Sequence, residues 1–214
     1  MNTIAVIDYG MGNLRSVVNA LEQVAPEHRV MLTSSSRDID DADRVVFPGQ
    51  GAARDCMRAI DEHQLRDAIV QAAAEKPFLG ICMGLQVLVD YSEENEGTDC
   101  LGIFPGRVRY FGDSHTDADG VKLKVPHMGW NRVRQTRAHP LWHSIEDGSR
   151  FYFVHSYYVE MQDSTLVAGQ CDYGLDFTCA IAHDNLFALQ CHPEKSASAG
   201  LQLLANFTAW DGLL

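Results

Sequence analysis

A chain of 214 residues with 46% hydrophobic and 21% charged side chains has enough apolar material for a full core. Its net charge of −12 comes without any basic block, so nucleic acid is not an expected partner, because a phosphate backbone requires clustered Lys and Arg. The apolar run across 78–89 is interrupted by Gln86 and falls short of a membrane span, and the N-terminal residues lack the basic region of a signal peptide.

Residues 3–8 read as a buried strand. Residues 13–25 read as an amphipathic helix with Leu14, Val17, Val18, Leu21 and Val24 on one face and Asn13 as its N-cap. Two β-branched runs at 29–33 and 44–47 predict further strands. Helical material covers 55–74, and Lys76 and Pro77 lead into a strand over 78–82. Strands that alternate with helices of this length predict a mainly parallel sheet covered on both faces.

Beyond residue 100 the pattern changes to strands at 107–111, 121–126, 150–160, 166–170, 178–183 and 186–190. Asp184 and Asn185 read as the hairpin turn between the last two. A closing helix over 199–210 presents Leu201, Leu204, Ala205 and Phe207 to a core. The polar segments 93–98 and 113–120 read as solvated loops. With no repeat or low-complexity linker, the expectation is one domain over 1–214. Six cysteines without a CxxC pair or finger-like spacing point to reduced thiols in the cytoplasm and away from structural zinc.

Three segments carry chemistry. In Gly80-Ile81-Cys82-Met83-Gly84-Leu85-Gln86 an apolar strand ends at a cysteine, a helical pattern begins at once, and glycines flank the turn two residues either side. A sharp strand-to-helix turn requires such glycines and presents its central side chain as a nucleophile. A helix N-terminus there would favour thiolate over thiol. The same heptapeptide would also suit a buried structural cysteine among packing glycines.

In Gln190-Cys191-His192-Pro193-Glu194-Lys195 the extended chain puts His192 and Glu194 on one side and Cys191 on the core side. Pro193 supports that geometry, and a carboxylate beside an imidazole orients it as a base. A His and a Glu on an exposed loop would read the same way. In Phe47-Pro48-Gly49-Gln50-Gly51 a Gly-rich turn after a strand could expose backbone N–H groups to an oxyanion, with the N–H of Met83 as the second donor. Taken alone it is equally a plain loop.

Gly-Ile-Cys-x-Gly-x-Gln, His-Pro-Glu and Pro-Gly-x-Gly together resemble the class I, triad-type glutamine amidotransferases. Asp8-Tyr9-Gly10-Met11-Gly12-Asn13-Leu14, Pro126-His127-Met128-Gly129-Trp130-Asn131 and Tyr152-Phe153-Val154-His155-Ser156-Tyr157 extend the likeness nearly end to end. Within that family they are similar to the glutaminase subunits of imidazole glycerol phosphate synthase, from histidine biosynthesis. The resemblance implies an α/β, flavodoxin-like class I glutamine amidotransferase fold. Its central, mainly parallel sheet is flanked by helices, with an additional antiparallel strand region in the second half.

The resemblance implies Cys82, His192 and Glu194 as a catalytic triad that hydrolyses glutamine to glutamate and ammonia. Gly49, Gln50 and Met83 would form the oxyanion hole, and Gly51, Gln86, Ser156 and Tyr157 would hold the amino-acid end of the substrate. No metal or organic cofactor is implied. A (β/α)₈-barrel cyclase subunit is the implied partner, met in a heterodimer by Asn13, Met128, Trp130, Tyr152 and Lys195. That partner would use the ammonia to make imidazole glycerol phosphate and an aminoimidazole carboxamide ribotide. Two other readings stay open: a paralogous glutaminase that serves a different amidation, such as that of a surface sugar, and a non-catalytic regulatory subunit. Gln50 departs from the family, which more usually has an apolar residue there.

Gly10-x-Gly12 half-matches a dinucleotide fingerprint, but Arg15 stands at the third glycine position, so no nucleotide cofactor is expected. His127 and His155 are expected to be structural. Trp130 and Tyr152 would serve equally as core aromatics, were it not for the resemblance.

Overall fold

The computed structural model describes residues 2–112, 116 and 119–213. Its first half builds β1 (Thr3–Ile7), α1 (Leu14–Val24), β2 (Arg29–Thr33), α2 (Ser36–Asp41) and β3 (Arg44–Gly49). It continues through α3 (Ala53–Glu62), α4 (Arg66–Glu75), β4 (Phe78–Cys82), α5 (Met83–Gln86) and β5 (Val89–Ser92). The second half adds β6 (Thr98–Asp99), β7 (Phe104–Tyr110), β8 (His127–Arg132), β9 (Arg134–Gln135), β10 (Arg150–His155) and β11 (Tyr157–Met161). It closes with β12 (Val167–Asp172), β13 (Asp176–His183), β14 (Leu186–Leu189) and α6 (Ala197–Ala209).

Among the described residues, twelve strands make one sheet whose main path runs β2-β1-β3-β4-β14-β13-β11-β7-β5-β6. The five strands β2 to β14 are mutually parallel, and the pairs β14–β13, β13–β11 and β11–β7 are antiparallel. β12 adds to β13, and β8 pairs with β10 as a separate two-stranded sheet. The expected division into a parallel first half and an antiparallel second region is therefore the one found.

Every residue of β3 and β4 is buried, as strands covered on both faces must be. Alternate side chains of these strands feed two cores. Val6, Val46 and Ile81 pack with Val17 and Leu21 of α1 and Leu203, Leu204 and Phe207 of α6. Ile7, Val45 and Phe47 pack with Ile60 of α3 and Ile69 of α4. The period-two alternation thus sends each strand's neighbours to opposite faces.

Five sequence expectations are corrected. The helical stretch 55–74 is two helices, broken where Gln64 takes φ 56°. The helix expected after Cys82 stops after one turn. Val87, Leu88 and Val89 are fully buried, and the chain passes at once into β5 instead. Residues 121–126 form no strand beyond an isolated bridge from Lys122 to Thr116. A cis Val125–Pro126 bond ends them, and Pro126 has no N–H to give a ladder.

The strand that matters there is β8, hidden because Gly129 and Asn131 carry poor strand propensity. The single strand expected over 150–160 divides at Ser156, with β10 going to β8 and β11 to β7. The polar segment 93–98 holds a 3₁₀ turn, Glu94–Glu96, and the start of β6, and is not a plain solvated loop. Most of the expected loop 113–120 lies outside the described residues.

Candidate active site

β4 delivers Cys82 to the carboxyl edge of the parallel strands, with Gly49 of β3 in register beside it. Cys82 has φ 57° and ψ −107°, a conformation that an L-residue holds only when its surroundings impose it. Those surroundings are close-packed backbone. A Cβ at Gly84 would overlap the Phe47 carbonyl oxygen, and one at Gly80 would meet the carbonyl of Gly84. The glycines of the elbow are thus needed for approach between strands and turn. With only one helical turn behind it, the dipole expected to favour the thiolate is a minor contributor.

β14 lies parallel to β4, so the chain that leaves it emerges at the same edge and brings His192 beside Cys82. His192 is extended, but Glu194 sits in a 3₁₀ turn, Pro193–Lys195. The pair meets through that turn and not through the continuous extended chain the sequence suggested. Nδ1 of His192 is 2.8 Å from Oε1 of Glu194, and both side chains are 2% exposed. Nδ1 therefore carries the proton and donates, which leaves Nε2 as the lone-pair nitrogen on the Cys82 side.

Nε2 is buried and makes no formed hydrogen bond of its own. Burial opposes a charge on His192, but Cys82 and Glu194 outweigh it and raise the imidazole to about 10. An imidazole with that bias takes a proton readily from the neighbouring thiol. Cys191 is buried on the core side, as its alternation requires, and burial pushes its thiol well up. All six cysteines are free.

A cavity of about 300 Å³ opens over Cys82 and His192. Gln50, Gly51, Met83, Gln86, Ser156 and Tyr157 all line it, so most residues implied by resemblance come together here. Gly49 instead faces a narrow gap behind the triad, shared with Asn13 and Glu194, and packs against Tyr9 and Met83. Gln50 rests its side chain against Gly12, and its carbonyl accepts from the Cys56 thiol at 3.7 Å.

Pro126, Val154 and His155 also line the cavity without having been expected there, and two further polar residues carry no sequence signal for the site. Glu94 supplies the single carboxylate among the described lining residues, and one of its oxygens accepts from the Ala53 N–H at 2.8 Å. Burial raises its carboxyl, and the Ala53 bond opposes that. In the sequence it sits within the polar segment 93–98, where a lone Glu carries no pattern. Gln190 is fully buried, with Nε2 3.7 Å from the Cys82 sulfur.

Gln86 Nε2 donates to the Tyr157 carbonyl at 3.0 Å and to Gln190 Oε1 at 2.9 Å. Both N–H bonds of its amide are thus committed within the protein, so only its oxygen is free for a ligand. Among the described residues no cluster of three or more His, Cys, Asp and Glu side chains is placed to hold a metal ion.

The two-stranded β8–β10 sheet flanks this cavity. Trp130 and Tyr152 are register partners with rings 6.2 Å apart, and Met128 and Trp130 are 63% and 44% exposed. These aromatics form a surface and not a core. Asn13 and Lys195 are exposed, and Asn13 occupies the N-cap position of α1 without a capping side-chain bond.

The sheet is wired to the triad: the His192 N–H donates to the Tyr152 carbonyl at 2.9 Å, and Tyr152 N–H to Ser196 Oγ at 2.9 Å. At its other end His127 Nδ1 and His155 Nε2 are 3.0 Å apart, and His155 Nδ1 donates to the Tyr157 carbonyl at 2.7 Å. Burial holds this pair neutral, down to about 4 for His127 and about 3 for His155.

The family profile of class-I glutamine amidotransferases matches residues 5–209. The imidazole glycerol phosphate synthase subunit HisH of Thiobacillus denitrificans is 61% identical over 209 residues, 97% of this chain and 91% of that protein. The protein of the same name from Nitrosococcus oceani is 57% identical over the full length of both chains. Among solved structures, PurLQS from Thermotoga maritima superposes with a TM-score of 0.72 over 97% of this chain and 98% of that one, at 17% identity. The glutaminase domain of Trypanosoma brucei CTPS with bound acivicin gives 0.64 over 99% and 95%, at 18% identity. At such identities the two structures speak for the fold alone.

Proposed function

We propose that this chain, which belongs to the class-I glutamine amidotransferase family, is the ammonia-producing subunit of an imidazole glycerol phosphate synthase in histidine biosynthesis. The observation that carries the reading is the buried Cys82–His192–Glu194 constellation, whose Cys82 and His192 line a cavity of about 300 Å³, a volume suited to one small amino acid. Nε2 of His192 takes the thiol proton, and Sγ of Cys82 attacks the side-chain amide carbon of glutamine. N–H groups of the 49–51 turn and of Met83 receive the oxyanion. His192 returns its proton to the departing ammonia, and water then cleaves the glutamyl thioester to release glutamate.

At the amino-acid end, Gly51, the Gln86 oxygen, Ser156 and Tyr157 are the binding groups, and Glu94 is the acceptor for the α-ammonium. The face of exposed Met128 and Trp130 and half-buried Tyr152, with Asn13 and Lys195, receives a (β/α)₈-barrel cyclase, to which the ammonia passes. The whole of 1–214 acts as one domain in the cytoplasm; no helix among the described residues is long and apolar enough to cross a membrane.

The test is Cys82→Ala in the complex reconstituted with a cyclase subunit. Glutamine-dependent synthesis is expected to disappear while ammonia-dependent synthesis persists. Glutamine-supported turnover near the wild-type rate would remove Cys82 from the mechanism.

A further inference from the structure

Gln86 and Gln190 are both buried with their amides in contact, and elementary donor–acceptor chemistry decides which end of each amide faces where. The Tyr157 carbonyl can only accept. It lies 3.0 Å from one end of the Gln86 amide, so that end is the NH₂ group. His155 Nδ1 donates to the same carbonyl at 2.7 Å, which engages its second lone pair and holds it in place. The Gln86 nitrogen has one N–H left, and it points at Gln190 from 2.9 Å. Only Oε1 of Gln190 can answer it. The NH₂ end of Gln190 is thereby turned to Cys82, 3.7 Å from Sγ, within reach of an N–H···S bond.

We propose that Gln190 is a catalytic hydrogen-bond donor to Cys82, its amide supporting the thiolate as the thiol proton passes to His192. Gln86 and the Tyr157 carbonyl are its positioning groups. A neutral amide suits this role, because it offers an N–H to the sulfur anion and, not being a base, does not compete with His192 for the thiol proton. The inference rests on Cys82 being the nucleophile. It also accounts for the sequestration of the Gln86 NH₂, which serves the nucleophile's support and not the substrate.

The test is alkylation of the full-length protein by iodoacetamide across pH, with Cys82 occupancy followed by peptide mass spectrometry. Gln190→Met removes the donor at similar volume. Gln190→Glu is near-isosteric and turns a carboxylate toward the sulfur. Gln86→Met keeps Gln190 and releases its orientation. The pH midpoint of Cys82 alkylation is expected to rise by about one unit in Gln190→Met, a roughly tenfold slower reaction below the midpoint. It should rise further in Gln190→Glu and less in Gln86→Met.

In the unsubstituted protein, the Gln190 side-chain amide resonance should shift across the same midpoint, a readout that needs no variant to fold. An unchanged midpoint, a loss of rate equal at every pH, or a Gln190 amide signal blind to the titration overturns the proposal. Failure of the underlying reading looks different: Cys82 of the wild type would then react no faster than the other five cysteines.

Discussion

The parallel sheet and the two-stranded β8–β10 sheet meet at the triad but are built on opposite plans. β3 and β4 are buried throughout, and their elbow tolerates no Cβ at Gly84. β8 and β10 keep one row of side chains in the open, with Met128 and Trp130 exposed, yet a backbone bond from His192 to Tyr152 ties that sheet to the base. One region holds Cys82 in a conformation it would not otherwise adopt. The other is a thin panel whose outer face is free for contact and whose inner edge sets the position of the base. A protein partner pressed on the panel can therefore reach the chemistry through one strand.

The contrast makes predictions of decreasing size. Glu194→Gln breaks the buried pair that sets the His192 tautomer, and glutamine hydrolysis should fall by about 10²–10⁴ in kcat with little change in KM. A rate within a few-fold of wild type would mean that His192 is oriented by other contacts. Gly84→Ala forces backbone apart within the parallel region, and a destabilisation of about 3 kcal/mol or more by denaturant titration is expected. An alanine tolerated at no cost would show that the elbow can relax.

Trp130→Ala belongs to the panel. It should weaken binding of the proposed partner subunit by about 2 kcal/mol in calorimetry while leaving iodoacetamide alkylation of Cys82 in the isolated chain unchanged. Loss of both together would erase the distinction between the regions.

The smallest effect is in the pH profile. His192 stands at about 10 in the fold against roughly 6.5 in the unfolded chain. Its contribution is complete below about 6.5 and lost as pH rises through 10. His127 and His155 are held at about 4 and about 3, as burial also holds His139 at about 4. The unfolded chain binds their protons first, so their effect is a loss of stability as pH falls from roughly 6.5 through about 3. Tm should therefore peak near neutrality. Glu194→Gln should soften the alkaline limb, to which the buried thiols of Cys56 and Cys100 also contribute, and leave the acid limb in place; a change in the acid limb would count against this assignment.

The elbow, the His-Pro-Glu segment and the parallel strands were legible in the sequence. Each is a local requirement: glycines where backbone must approach backbone, a proline between base and carboxylate, and unbroken apolar runs where both faces of a strand are covered. Helix ends were read less well, as at Gln64, where a single residue with positive φ divides 55–74 without a glycine or proline to mark it. β8 was missed because its reason for being a strand is its partner β10, and pairing across nearly twenty residues leaves no trace in local propensity.

The same holds for the polar groups around Cys82. That Cys82, His192 and Glu194 belong together is an expectation drawn from residue types, their order along the chain and the resemblance. That Gln190 points its NH₂ at the sulfur, that Glu94 lines the cavity, and that the Tyr152 carbonyl holds the His192 backbone all depend on elements far apart in the chain meeting in space. Hydrogen bonds are directional and short-ranged, so only the packed tertiary structure could decide them.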